Sequence, residues 1–267
     1  MNYPRAKSDI FEVINERRSV RKFRDRPVTD DVLRRLLQAG SRAAFAAQLC
    51  SVIYTRDRQK MAKLGIGAYS SAPVLLIFFV DLCRMEKIIE ARGHRYDYDD
   101  MMTLWLGIQD VSLFAQNLTL AAEAMGLGSV LLGVAPTRAD RIAEAFDVPK
   151  RVFPVVGMSL GYPDPSEDTE VRPRFPLEMT AFEDIYRNHT AQDIETCMKQ
   201  MDEGYLSQGY YIRSNAKIPL RTKEDTIDYD RYSWSEHISR KMCQGRWTNH
   251  SLSKILEEHG FHIDPNV

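Results

Sequence analysis

Apolar positions change period several times along this chain, and each change marks an element. Leu104, Ile108, Val111, Ala115, Leu118, Ala122 and Met125 step by alternating four and three residues. That spacing keeps one face of an α-helix apolar over about six turns, and Gly126 closes the run. Ala115, Ala121, Ala122 and Ala124 lie along or beside the stripe and would let a second helix approach closely, as core packing or as a dimer interface. Shorter helical runs hold Ile10, Val13 and Ile14, with Ser8 or Asp9 to cap them, and Leu33, Leu36 and Leu37, with Thr29 as the cap and Gly40 as the stop. Thr137 is placed to cap a further helix through Ile142, Ala145 and Phe146.

Four segments read as strands: Val52 to Tyr54, Val74 to Val80, the later part of Gly126 to Val134 after a turn, and Phe153 to Leu160. Val74 to Val80 shows no polar alternation, so both of its faces are expected to be covered. Gly133 stands at the end of the third strand. There a glycine marks either the close approach of a ligand or backbone, or a simple bend. Helices and strands interleave without a regular βαβ repeat, which predicts an α+β sandwich.

After the break at Gly161-Tyr162-Pro163-Asp164-Pro165 comes a stiff segment, Val171 to Pro176, in which Pro173 separates Arg172 from Arg174. Thr190 caps a helix-like stretch to about Tyr205, and Tyr210-Tyr211-Ile212-Arg213 follows. A polar loop carrying Arg213, Lys217, Arg221 and Lys223 comes next, then helical runs from Trp234 and from Leu252 that end near Gly260. Two regions are expected: a core over 1-190 and a helical extension over 191-267, packed on the core with its basic loop exposed.

Composition narrows the function classes. The chain has 267 residues, 44% hydrophobic content and a net charge of -1. A near-neutral balance argues against general nucleic-acid binding. The six basic residues between 17 and 26 are therefore a local feature, suited to one small anion. Cys50, Cys83, Cys197 and Cys243 are widely spaced with no C-x-x-C, which predicts free thiols and no zinc site. The first residues form no apolar leader, and the run from Ala72 to Val80 is too short to span a bilayer. A cytoplasmic protein without membrane, metal or nucleic-acid partners is expected.

Candidate chemistry is concentrated in Arg17-Arg18-Ser19-Val20-Arg21-Lys22-Phe23. Arginine presents a planar fork of donors that matches phosphate, and Ser19 adds a hydroxyl; the alternative is a solvated basic patch. Arg172 and Arg174 form a second candidate clamp. His94 is a candidate acid or base in a polar loop. Gly157-Met158-Ser159-Leu160-Gly161 matches the G-x-S-x-G hydrolase pattern, but that elbow needs a helix directly after the serine, and Tyr-Pro-Asp-Pro follows instead. Neither a Walker sequence nor G-x-G-x-x-G occurs. Two arginine clusters and a strand-end glycine fit a protein that grips a phosphorylated cofactor and leaves the chemistry to it.

Taken in order, these segments resemble the FMN-dependent nitroreductases. Residues 17 to 23 resemble that family's opening motif. Ala115-Gln116-Asn117 through Ala121-Ala122-Glu123-Ala124-Met125-Gly126-Leu127-Gly128 resembles its dimer-forming helix, and Gly157 to Pro163 its closing strand and turn. Val171 to Pro176, Tyr210 to Arg213 and Trp234 to Ile238 narrow the likeness to oxygen-insensitive NADPH nitroreductases and NADPH–flavin oxidoreductases with an extended C-terminus.

The resemblance implies an α+β homodimer: a central, mostly antiparallel sheet flanked by helices, the long helix at the interface, and two FMN sites there. It implies that Arg17, Arg18, Ser19 and Arg21 hold the phosphate and nearby ribityl or ring oxygens. Gln48 would approach the ring, Leu132 and Gly133 would bring backbone amides to its edge, Arg172 and Arg174 would complete the anion site, and Arg213 would bind the NADPH phosphate. It further implies ping-pong transfer of hydride from NADPH, or NADH, through flavin N5 to a nitroaromatic, a quinone or free flavin, with no catalytic side chain. Two departures stand out: Ala43-Ala44-Phe45-Ala46-Ala47 replaces a run of small hydroxyl residues, and the loop from Asn215 to Asp230 is longer than usual. Other readings are a flavin-binding protein without turnover and a family member with a different redox substrate.

Overall fold

The structure is a computed structural model that describes residues 9–65, 72–167, 170–221, 224–244 and 252–263. Its contacts divide the chain into two compact units, one of Met1–Thr169 with His250–Val267 and one of Glu170–Asn249. The division falls at Thr169 and not at residue 190, and the last helix belongs with the first unit.

The first unit is built on a sheet of β1 (Cys50–Thr55), β2 (Val74–Asp81), β3 (Gly128–Leu132) and β4 (Val152–Gly161), in the order β1-β2-β4-β3 with every neighbouring pair antiparallel. All eight residues of β2 are buried, as its unbroken apolar run requires. On one face Phe78 and Val80 pack with Leu104, Val111 and Leu118 of α5 (Asp100–Ala124). On the other, Ile77 and Phe79 pack with Val130, Leu132 and Ile142, the last from α6 (Ala139–Phe146). A Cβ at Gly107 would stand 2.6 Å from Val80 Cγ1, so glycine there sets how closely α5 lies on the sheet.

α5 follows the expected periodicity and ends where Gly126 turns the chain at φ +76. Ile108, expected in the buried stripe, is exposed instead. Asp9 caps α1 (Ile10–Glu16) and Thr29 caps α2 (Asp30–Ser41), while Ser8 lies outside the described residues. Gly40 does not stop α2: it lies within the helix, where a Cβ would fall 2.3 Å from the Phe114 ring. Nor does Thr137 cap α6. Its hydroxyl donates to the Val134 carbonyl at 2.8 Å within a 3-10 turn over Ala135–Arg138. Two further helices, α3 (Arg58–Lys63) and α4 (Leu82–Ala91), each start at an aspartate cap, Asp57 and Asp81.

The final helix of this unit, α10 (Leu252–Glu258), places Ile255 and Leu256 in the main core, and the segment after it adds Phe261 and Ile263. Within the second unit, Thr190 and Asp193 form a capping box at α7 (Ala191–Ser207), followed by α8 (Tyr210–Ser214) and α9 (Trp234–Cys243). Arg240, 2% exposed, bonds Asp225 at 2.7 and 3.0 Å, Glu236 at 2.6 Å and the Ile218 carbonyl at 2.8 Å, and so fixes the loop between α8 and α9. No described helix is long and apolar enough to cross a membrane.

Candidate functional site

Arg17 caps the C-terminus of α1, and the chain then runs extended. Val20 and Phe23 are buried with Ala72 and anchor the segment. Its backbone is tied on two sides. Val20 N donates to Ser129 O at 3.0 Å, and Ser19 bridges Ser129 at the start of β3. Arg24 N donates to Tyr162 O at 2.9 Å, and Phe23 bridges Pro163 beyond β4. Glu167 closes the arrangement: its carboxylate accepts from Arg21 N at 2.9 Å and from Lys22 N at 2.7 Å. Arg21 Nη1 turns back to Ser19 O at 3.4 Å. Arg17, Arg18, Ser19 and Arg21 are therefore held together in a half-buried strap fixed by its main chain.

β3 links this strap to the next predicted residues. It starts at the Ser19 bridge and ends at Leu132, followed by Gly133, about 13 Å away at strand rise. A Cβ built on Gly133 meets nothing within 4 Å, so space opens beside the backbone there.

Gln48 lies elsewhere. It precedes β1, and the sheet order puts β1 and β3 at opposite edges, about 14 Å apart at ordinary strand spacing. The sheet of one chain does not bring Gln48 to the strap or to Gly133. Gln48 stands at φ +54, in the left-handed region that non-glycine side chains disfavour, and its neighbours hold it there. The Asp110 carboxylate of α5, 3% exposed, accepts from Ala46 N at 2.5 Å, Ala47 N at 3.2 Å and Leu49 N at 2.9 Å. Arg84 of α4 donates to Gln48 O at 2.7 Å and to Cys50 O at 3.1 Å. Gln48 lines a cleft of about 500 Å³ whose walls include Ala43, Ala44, Phe45, Met85 and Phe114. Burial pushes the Cys50 thiol at its edge up to about 12, against the pull of Arg84, so it stays protonated at neutral pH.

In the second unit, Arg172 Nη1 donates to Gln208 Oε1 at 2.6 Å and its guanidinium lies 4.1 Å from the centre of the Tyr210 ring. Arg174 donates to the carbonyls of Arg172 and Pro173. Arg213 stands in the last turn of α8 and bonds Gln208 O at 2.5 Å and Glu170 Oε1 at 3.3 Å. Of the loop cations, Lys217 pairs with Asp225 at 3.0 Å and Arg221 bonds Gln244, while Lys223 lies outside the described residues. His94 is exposed, and Ser159 is buried in mid-strand opposite Leu75 and Val130, without the turn a nucleophile elbow requires.

The sequence alone does not single out Asp110, Arg84, Glu167 or Gln208 as site residues. Only Asp110 left a signal there, as a carboxylate beside Val111 in an apolar helical stripe.

The family model described as Nitroreductase family matches residues 14–162. An NADPH-flavin oxidoreductase of Vibrio harveyi is 31% identical over 229 residues, covering 82% of this chain and 90% of that protein. A CR(VI) reductase of Pseudomonas sp. (strain G-1) is 30% identical over 222 residues, covering 80% and 89%. Among solved structures, NfrA2 of B. megaterium superposes with a TM-score of 0.81 at 25% identity, covering 97% of this chain and 100% of that one. The NADPH:FMN oxidoreductase from Vibrio harveyi complexed with NAD+ gives a TM-score of 0.75 at 27% identity, covering 94% and 97%.

Proposed function

This chain belongs to the nitroreductase family, and from that premise we propose that it is a cytoplasmic, homodimeric NADPH-dependent oxidoreductase. It holds FMN and reduces small acceptors such as nitroaromatics, quinones or free flavin. The observation that carries this reading is the strap on β3: a row of arginines bound by its main chain at one end of a strand whose other end is Gly133.

The residues present suit the cofactor. Arg17, Arg18 and Arg21 offer charge to a phosphate, and Ser19 offers a hydroxyl. Backbone amides at Leu132 and Gly133 serve the ring, and the open side of Gly133 admits it. Arg172 and Arg174 are the further cations assigned to the anion, and Arg213 is the residue assigned to the NADPH phosphate. When bound, FMN supplies the two-electron chemistry, in two successive half-reactions of ping-pong type. The protein then needs no side-chain acid or base. Its part is to fix the phosphate, present donors to the ring and keep water from the reacting face.

Homodimerisation accounts for Gln48. In this reading a second copy supplies Gln48 to the flavin, since β1 and β3 lie at opposite edges of one sheet. Exposed apolar side chains support such an interface: Met101, Met102, Trp105, Ile108 and Leu113 on α5, and Ile10, Phe11 and Ile14 on α1.

The test is an anaerobic titration. The purified protein should show a flavin spectrum, bleach with NADPH, and regain colour with an added quinone or nitroaromatic. A protein that takes up no FMN and consumes no NADPH overturns the reading. Chromate belongs in the acceptor panel because the Pseudomonas relative is named for it.

A further inference from the structure

We infer that Asp110 and Arg84 are positioning residues whose task is to hold Gln48 in its left-handed conformation and thereby aim its amide at the flavin; this rests on the flavin reading above. The sequence around Gln48 gives the loop no stiffness of its own, since Ala43-Ala44-Phe45-Ala46-Ala47 offers no side-chain hydrogen bond. A left-handed glutamine in such a loop would relax to an ordinary conformation unless held from outside.

It is held from both sides. The buried Asp110 carboxylate gathers the amides of Ala46 and Ala47 before Gln48 and of Leu49 after it, and skips that of Gln48. On the C-terminal side Arg84 takes the carbonyls of Gln48 and Cys50 and the Ser51 hydroxyl at 2.9 Å. Asp81 steadies this hand. Its carboxylate accepts from Arg84 N at 2.8 Å and from Ser51 Oγ at 2.5 Å. The two clamps come from different helices, α5 and α4. Burying a carboxylate costs desolvation; here the three main-chain amides offset that cost, and the same bonds fix the local conformation. Backbone strain fixed in this way, beside a cleft, is characteristic of binding sites.

The experiment uses the holoenzyme and four variants: Asp110→Asn, Arg84→Met, Arg84→Lys and Gln48→Ala. Two quantities are read, the FMN Kd by fluorescence quenching and the midpoint potential of the bound flavin. A carboxamide in place of the carboxylate has one acceptor oxygen and cannot serve all three amides. Asp110→Asn should therefore raise the FMN Kd about tenfold and move the potential in the same direction as Gln48→Ala. Arg84→Met should do the same, and Arg84→Lys should restore part of the loss because lysine can still reach one carbonyl. In the double variants, Asp110→Asn or Arg84→Met on the Gln48→Ala background should add nothing further to the potential. Additive shifts, or a potential unchanged in the Arg84→Met and Asp110→Asn proteins, overturn the inference. If Asp110→Asn does not fold, the Arg84 variants, on an exposed side chain, decide alone. Failure of the flavin reading looks different: the unmodified protein itself would bind no FMN.

Discussion

Arg151 grips Asp100 with both ends of its guanidinium, Nη2 at 2.9 Å from Oδ1 and Nη1 at 2.5 Å from Oδ2. The same guanidinium reaches Glu86 and the Gly260 carbonyl, and Asp100 also accepts from His262 N. One ion pair thus ties the lead into β4, the start of α5 and the segment after α10. Burial raises the Asp100 carboxyl, but the bonds from Arg151 and His262 outweigh it and hold the group below the usual carboxylate range. A depressed carboxyl contributes stability that is fully present above its unfolded pKa, about 4, and is lost as pH falls through the lower folded value. Asp100→Asn should lower unfolding free energy at pH 7 by about 3 kcal/mol, the scale for breaking a buried pair. The loss should shrink as pH drops below about 4. Urea melts at several pH values check this, and a pH-independent difference would contradict it.

Gln48→Gly separates strain from use. The left-handed conformation at φ +54 costs a non-glycine residue about 1 kcal/mol, which glycine recovers, less the greater freedom it brings to the unfolded chain. The apoprotein should unfold at the same or higher urea concentration, while the FMN Kd rises about tenfold. A destabilised apoprotein with unchanged FMN affinity would show that Gln48 serves the fold.

Arg18→Ala should weaken FMN retention by removing charge-assisted bonds to the phosphate, on the order of 2 kcal/mol or thirtyfold in Kd. Flavin absorbance after exhaustive dialysis reads this directly, and undiminished retention rejects the assignment.

Arg213→Ala should raise the apparent KM for NADPH far more than that for NADH. The partners of Arg213, Glu170 and the Gln208 carbonyl, leave it in a defined position on α8 rather than on a free loop. Equal changes for both nucleotides would mean that it does not read the 2′-phosphate.

Much of the fold was legible because strong periodicities coincide with burial. β2 is apolar throughout and covered on both faces, and α5 repeats its stripe until Gly126 turns the chain. Where the pattern misled, tertiary contacts decided. Gly40 looked like a helix stop and is instead the place where α2 meets Phe114. Thr137 looked like a cap and serves a 3-10 turn. For the site, the basic strap was visible as a run of charge, but its fastening by Glu167 joins residues far apart in sequence and has no local signature. The clamp on Gln48 was hidden for the same reason, since Asp110 and Arg84 act on backbone groups, which every residue has.

The return of the chain from the second unit to the first bears on synthesis. The last strand of the sheet is complete at Gly161, yet the core still lacks Ile255, Leu256, Phe261 and Ile263. On a ribosome adding about 5–20 residues per second, the sheet waits several seconds with part of its apolar surface uncovered while the whole second unit emerges. Nascent chains should therefore gain protease resistance late, once α10 has left the exit tunnel, and chaperones should find them in the interval.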